Sequence, residues 1–367
     1  MNVLITFPSL KAKGGVASYY NSVLPILADQ MNITVSYLEI GTYHLRGTSR
    51  KIYKYFRFLM DLIVFYHRIS NNMLDLIHLN PSLDLKGVIR EGIFIYLAKK
   101  KRLPVLVFFR GWHTRYERLV ESKLRWFFKK TYMRADGFIV LSSSFREKLR
   151  EWGVTAPIYL KTTAVDENLV SGFSIEEKVT LLRNSTHIKV LFLARLDKEK
   201  GVFETLEAVS ILLKRGHNVS LTIAGDGPAM NDVKKYLTRH HGYSNQVKLI
   251  GYVVGEAKKQ AFESHHIYSF PTNYREGMPN SVLEAMVFGL PVITRKVEGI
   301  KDFFENGKMG YMTERKDPTV IADLLEELIL KKDKMIDMAL HNHFYAKEKF
   351  MASKVAEDLR DIYTKLC

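Results

Sequence analysis

Two periodicities alternate along this chain, one of two residues and one near 3.6. The run "NVLITFPSL" is a strand, "KAKGG" interrupts it, and "VASYYNSVLPILADQ" places apolar residues at helical spacing before "ITVSYLEI" returns to a strand. The same unit recurs in the second half as "IKVLFLARL", "DKEKG", "VFETLEAVSILLKRG" and "VSLTIAG". Two strand–loop–helix–strand openings predict two α/β domains, each built on a parallel sheet. "VKLIGYV", "HIYSF" and "LPVIT" continue the second sheet, and "TTAVDENLVSGFSIEEKVTLLRNSTH" reads as the connection between the domains.

One stretch breaks the pattern with chemistry. "YREGMPNSVLEAMVFGLPVITR", residues 274–295, sets Glu276 on a Gly/Pro loop and Glu284 on the helix behind it. Pro271 ends the preceding strand, Gly277 and Pro279 shape the loop, and the helix is expected from about Ser281 to Gly289. In an open parallel sheet, ligands bind at the carboxyl ends of the strands, where this loop lies. Ser281 and Glu284 also spell S-x-x-E, so Glu284 has a second reading as the partner in a capping box.

Charge adds a second asymmetry. Residues 1–170 hold 26 Lys and Arg against 13 Asp and Glu, net +13, leaving +3 of the total +16 for the rest. An anionic partner for the first half follows: membrane, nucleic acid or phosphorylated substrate. The single cysteine, Cys367, allows no intramolecular disulfide or Cys-based metal site and fits a reducing cytoplasm. The first residues lack the pattern of a signal peptide, and no apolar run is long enough to cross a bilayer.

Two loops suit an anion. Gly14 and Gly15 precede a helix, whose first amides point outward. In "ARLDKEKG", Arg195 and Lys200 could neutralise a diphosphate, Arg as a bidentate fork and Lys as a point charge.

In this order, "GGVASYY", "LARLDKEKGV", "IAGDGP", "LIGYV" and "EGMPNSVLEAMVFGLPVI" resemble the family 4 glycosyltransferases over nearly the whole chain. The resemblance implies the GT-B fold, an α/β architecture of two Rossmann-like domains facing across a cleft. The domains expected are 1–165, on the acceptor side, and 166–349, on the nucleotide-sugar side, with a C-terminal helix at about 350–367 packing back on the first. It further implies that Arg195 and Lys200 hold the donor diphosphate and that Gly14 and Gly15 approach its phosphates. Glu276 would bind hydroxyls of the donor sugar, aided by the backbone of Gly277 and Met278, and Glu284 would bind the ribose. Val253 would lie near the base, Asn280 joins the donor set, and His113 in "RGWHTRY" matches the family's histidine near the reacting sugar.

The activity implied is retaining transfer of a sugar from a nucleotide diphosphate sugar to a hydroxyl of a glycan or lipid-linked acceptor. UDP is favoured, with GDP-mannose second. No cofactor or metal is expected, since the chain has no Asp-x-Asp. A sugar-nucleotide epimerase and a non-catalytic nucleotide-sugar-binding subunit are the alternatives.

Residues 44–68, "HLRGTSRKIYKYFRFLMDLIVFYHR", carry six Lys and Arg among aromatic and aliphatic residues. At helical spacing this makes a basic face beside an apolar one, suited either to an anionic membrane surface or to packing on a core. "KKKR" at 99–102 adds charge. The expectation is a cytoplasmic protein, peripheral at the inner membrane face through its N-terminal domain, with no nucleic-acid partner.

Overall fold

The computed structural model describes residues 1–12, 14–30, 33–41, 50–240, 245–274 and 277–367, with residues 30 and 50–55 by backbone only. The chain divides into two compact units. Unit 1 is Met1–Ala164, Arg275–Met278 and Ala352–Cys367; unit 2 is Val165–Tyr274 and Pro279–Met351.

Unit 1 runs β1 (Asn2–Phe7), α1 (Gly15–Gln30), β2 (Thr34–Glu39), α2 (Arg50–Asn71), β3 (Leu76–Leu79), β4 (Ser82–Leu83) and α3 (Leu85–Lys100). It continues through β5 (Val105–Phe108), β6 (Gly111–Trp112), α4 (Thr114–Leu119), α5 (Arg125–Lys130), β7 (Gly137–Val140), α6 (Ser143–Glu151) and β8 (Ile158–Leu160). Its parallel sheet has the order β2-β1-β3-β5-β7-β8, with β4 and β6 paired separately. "LIHL", "VLVF" and "GFIV" are buried on both faces, as central parallel strands require. Alternate residues feed two cores. Leu4, Ile77, Val107 and Phe138 face α2 and α3, where Phe65 and Phe94 stack at 4.0 Å. Ile5, Leu76, Phe108 and Ile139 face Tyr19, Tyr20 and Val23 of α1.

Unit 2 holds α7 (Glu167–Val170), α8 (Ile175–Asn184), β9 (Ile188–Leu193), α9 (Val202–Lys214), β10 (Val219–Ala224), α10 (Met230–Arg239), β11 (Val247–Gly251) and α11 (Gly255–Glu263). There follow β12 (Ile267–Phe270), α12 (Asn280–Val287), β13 (Val292–Arg295), β14 (Gly310–Thr313), α13 (Pro318–Leu330) and α14 (Lys332–Phe350). Its sheet is parallel in the order β11-β10-β9-β12-β13-β14, so the direction of winding switches between β9 and β12. The last helix, α15 (Ala352–Leu366), belongs to unit 1 and packs Leu359, Ile362 and Tyr363 against the α1 side of the sheet.

The segment read as a connection holds the boundary between the units, at Ala164–Val165, and from there forms α7 and α8 of unit 2. Ser174 caps α8, and Ile175, Lys178 and Leu182 bury one face. The buried lysine hid that face in the sequence. Its Nζ donates to the carbonyls at the end of α11, Glu263 O at 2.6 Å and Phe262 O at 3.1 Å, where the last helical carbonyls lack partners.

A polar chain runs through the α1 core of unit 1. His78 Nδ1 lies 2.6 Å from the Tyr363 hydroxyl, Tyr20 donates to Asn80 Oδ1 at 2.7 Å, and Asn80 Nδ2 donates to the Thr6 carbonyl at 2.9 Å. Burial pushes His78 from 6.5 down to about 3, helped by the charge of Arg110. The unfolded chain therefore takes up a proton below pH 6.5 that the folded chain refuses until about pH 3. Stability should fall as pH drops through that window, by up to about 1.4 kcal/mol per pH unit for this group. All three tryptophans, Trp112, Trp126 and Trp152, lie in unit 1 and report its unfolding. The urea midpoint read by tryptophan emission is expected to fall from pH 7 to pH 5, and His78→Gln should flatten that dependence. An equal slope in both proteins would remove His78 as the cause.

Candidate functional site

The site in unit 2 is built where its sheet switches direction. Three loops meet there through backbone contacts that only glycine permits. A Cβ on Gly225 would strike the carbonyl of Ala194, and one on Gly227 the carbonyl of Leu196. Leu196 N donates to Asp226 O at 3.0 Å, and Ala229 N donates to Leu196 O at 3.0 Å. Gly201 takes φ +87° as N-cap of α9, and a Cβ there would stand 2.6 Å from the Pro271 carbonyl oxygen. The loop after β12 is then tied to the loop after β9. The Glu199 carbonyl accepts from Asn273 N at 2.6 Å, Tyr274 N at 3.1 Å and Thr272 Oγ1 at 3.3 Å.

This places the predicted cations. Arg195 is exposed just beyond β9, and Lys200 is half-buried before α9. Lys200 Nζ sits 4.3 Å from the centre of the Tyr274 ring, a cation–π contact that fixes the ammonium at the switch point. Neither α9 nor α12 has a side-chain cap at its N-terminus. Unsatisfied amides of two helices thus flank the two cations, an arrangement that attracts anions.

Glu284 is the most constrained acid here. It lies on α12, 3% exposed, and its Oε1 accepts from Lys258 Nζ of α11 at 2.6 Å. Its Oε2 is buried with no hydrogen-bond partner. A buried carboxylate oxygen left unpaired is costly, and a ligand hydroxyl would relieve it. The capping-box reading of Glu284 fails. The helix starts at Asn280 with Pro279 as N-cap, which places Glu284 in the second turn and offers no N-cap N–H to accept. Ser281 instead accepts from the Tyr268 hydroxyl at 2.7 Å, and that hydroxyl also reaches Leu193 O at 2.8 Å. One buried tyrosine so pins the start of α12 to the end of β9.

Of the other expected residues, Asn280 opens α12 and Val253 is half-buried in the turn after β11. Gly277 and Met278 group with unit 1. Glu276 lies outside the described residues. Gly14, at φ +142°, and Gly15 follow β1 in unit 1, with open space around Gly14. His113 is exposed at the N-cap of α4, its ring 6.2 Å from that of Tyr116, and it does not cap the helix. Sequence reading missed Lys258 and Tyr274. No local pattern announces Lys258, whose role depends on a contact 26 residues away. Tyr274 was within the quoted loop, and its aromatic face next to a predicted cation was the available signal.

Residues 174–342 match the family Glycosyl transferases group 1. Among curated proteins, the chain is 28% identical over 193 residues to the Staphylococcus aureus capsular polysaccharide biosynthesis glycosyltransferase CapM, covering 52% of this chain and 49% of CapM. It is 24% identical over 258 residues to the alpha-D-kanosaminyltransferase of Streptomyces kanamyceticus, covering 69% and 66%. The chain thus spans about half to two thirds of the length of these relatives. Among solved structures, Anabaena HepE in complex with UDP and glucose superposes with a TM-score of 0.72 at 17% identity, covering 99% of both chains. Sucrose-phosphate synthase from Thermosynechococcus elongatus gives 0.75 at 15% identity, covering 100% of this chain and 98% of that one. The fold is that of the GT-B glycosyltransferases, and the match to the group 1 family falls on residues 174–342.

The Lys258–Glu284 pair makes a stability prediction. Lys258→Met leaves a buried carboxylate uncompensated and should cost unit 2 about 3 kcal/mol. The double variant Lys258→Met/Glu284→Gln removes that charge and should recover much of the loss. Urea unfolding followed by far-ultraviolet circular dichroism measures both. Additive losses would mean that the two groups do not interact.

Proposed function

We propose that this chain, with its group 1 domain in a GT-B fold, is a glycosyltransferase that moves a sugar from a nucleotide diphosphate sugar to an acceptor hydroxyl. The observation that carries the reading is the switch point of unit 2. Two cations, two uncapped helix N-termini and a carboxylate with one unpartnered oxygen converge there. Breaking the anomeric C–O bond leaves charge on the nucleotide diphosphate. Arg195, Lys200 and the helix amides stabilise it, the preorganised electrostatic role that lowers such barriers. Glu284 Oε2 takes a ribose hydroxyl, and Glu276 holds hydroxyls of the sugar. The acceptor attacks from the leaving-group face, so configuration is retained, and the donor phosphate takes the acceptor proton. The family resemblance further assigns His113 to the reacting sugar and Gly14 and Gly15 to the donor phosphates. The reading calls for no metal. UDP is the favoured nucleotide, supported by HepE, whose solved complexes contain UDP, UDP-glucose or UDP and glucose. Polysaccharide assembly is the favoured setting, supported by CapM and by the amylovoran biosynthesis glycosyltransferase AmsK of Erwinia amylovora.

Arg195→Ala or Lys200→Ala should lower turnover roughly 10²–10³-fold, as loss of one transition-state charge partner does. Glu284→Gln should weaken UDP binding about tenfold or more. Product analysis separates the classes: a glycoside supports transfer, free sugar supports an epimerase-like reaction, and wild-type turnover in the Arg195 and Lys200 variants removes the clamp.

We also propose that unit 1 docks on an anionic membrane. The segment singled out for this begins at residue 44; residues 44–49 and the side chains of Arg50, Lys51 and Lys54 lie outside the described set. Arg57 is half-buried and paired with buried Asp61 at 2.9 Å. Helix α2 serves both readings weighed for it. Phe65 and Ile69 bury one face, while Phe56, Leu59, Ile63 and Tyr66 expose another, at 60%, 56%, 62% and 49%. Beside it, Lys101 lies over the Tyr66 ring at 5.6 Å and Lys100 over the Tyr96 ring at 4.9 Å. An apolar stripe rimmed by cations suits a headgroup boundary, each nearby cation contributing about 1 kcal/mol. No helix among the described residues is long and apolar enough to cross a membrane. Co-sedimentation with phosphatidylglycerol vesicles should be strong at low salt, weak with phosphatidylcholine, and lost as salt rises. Lys100→Glu/Lys101→Glu and Leu59→Ser/Ile63→Ser should each release the protein. A wild type that ignores anionic vesicles at low salt removes this docking.

A further inference from the structure

Unit 1 contains a guanidinium with no carboxylate partner among the described residues. Arg110 follows directly on Phe108 and Phe109 at the carboxyl end of β5, where its N–H donates to Pro81 O at 2.9 Å. Its Cζ lies 4.0 Å from the Tyr19 ring centre and 4.3 Å from that of Phe108, and because the two rings meet nearly at right angles the guanidinium sits in the corner between them. Its Nε and Nη1 are buried and have no hydrogen-bond acceptor. No carboxylate pairs with it, although the other buried arginine of this unit, Arg90, is paired with Asp61 and Glu91. Tyr19 is no substitute. Burial pushes its hydroxyl up to about 12, so it is neutral at physiological pH.

A small recess beside these two rings is lined by Lys161, Thr162 and Asp358 and otherwise by apolar core residues. Asp358 is engaged by Lys161 at 2.9 Å and Lys354 at 3.8 Å. Thr162 Oγ1 is buried in the recess wall with no partner among the described residues. Guanidinium N–H groups that are buried without an acceptor are costly to leave unmet, and an oxyanion would meet them.

We propose that Arg110 and the recess beside it form an oxyanion subsite of unit 1, holding a phosphate or carboxylate carried by the acceptor. The identification of that group with the acceptor rests on the glycosyltransferase reading. Arg110 is a positioning residue: it sets the acceptor by its charged group and touches neither the bond broken nor the bond formed. The two rings, set nearly at right angles, flank the planar fork, whose bidentate geometry lysine cannot reproduce.

The test uses the full chain carrying Arg195→Ala/Lys200→Ala, so that the donor cations do not report. Inorganic phosphate and glucuronate are titrated separately against chloride of equal ionic strength, and unit 1 unfolding is read from tryptophan emission. Stabilisation by phosphate alone identifies a phosphorylated acceptor, by glucuronate alone a uronate, and by both a subsite that accepts either. Adding Arg110→Gln should weaken the apparent affinity about tenfold or more, and Arg110→Lys should also weaken it because the fork is lost. Should Arg110→Gln fail to fold, Arg110→Lys decides. No stabilisation of the parent by either anion beyond chloride overturns the proposal, as does an unchanged affinity in the Arg110 variants. UDP binding by the unmutated chain is measured beside it. Its absence would strike the donor reading and leave an Arg110-dependent anion effect standing.

Discussion

Gly225 and Gly227 let the turn after β10 lie directly on the backbone of Ala194 and Leu196, and the geometry of the donor-side loops follows from that approach. Any side chain at either position would push the turn away and release the loop that carries Arg195. The same logic repeats one strand over, where Gly201 takes a left-handed φ against Pro271 and so turns Lys200 toward the switch point. Backbone close to backbone leaves little freedom for the loops. It also leaves the first amides of α9 and α12 facing outward, because glycine and proline stand where a capping side chain would otherwise sit.

That rigidity explains how a half-satisfied carboxylate persists. Glu284 could in principle rotate to satisfy both oxygens, yet Tyr268 pins the start of its helix to β9 and Lys258 holds Oε1 from α11. The cost of burying the charge is met by one cation only. What remains is a carboxylate oxygen without a donor among the described residues, held where its helix puts it. Positioning here comes from residues far apart in sequence, each packed into a different element.

The repeated strand–loop–helix–strand pattern was legible because parallel strands are continuously apolar and helices keep their period. The Arg195/Lys200 pair and Glu284 were legible as chemistry on loops and a helix of unit 2. What the sequence did not disclose depends on register or on distance. S-x-x-E matched a capping box, but the N-cap is Pro279, two residues ahead of the Ser281 that the box requires. The "connection" hid α8 because a lysine occupies its buried face, accepted there only since Lys178 meets the free carbonyls of α11. Helix α2 read as a choice between core and surface, whereas its two apolar stripes serve one each. Arg110 stood three residues from His113 in a quoted motif, and nothing local distinguishes a cation that will be buried without a counter-ion.

The positive charge of the first half separates into three physical kinds. Arg57 and Arg90 are partly exposed and are matched by the buried acids Asp61 and Glu91, so much of their charge is answered locally. Lys100 and Lys101 lie over exposed tyrosine rings, which hold their stems on the surface while the ammonium groups stay in water. Arg110 is of neither kind, a half-buried ion set against two aromatic rings and matched by no acid among the described residues. Net charge alone treats the three as equal. Only burial and pairing separate a cation that stabilises the fold from one that meets a surface and one that waits for a ligand. The surplus over the second half is therefore not one uniform field but a sum of cations in different settings, some answered by acids and some open to water.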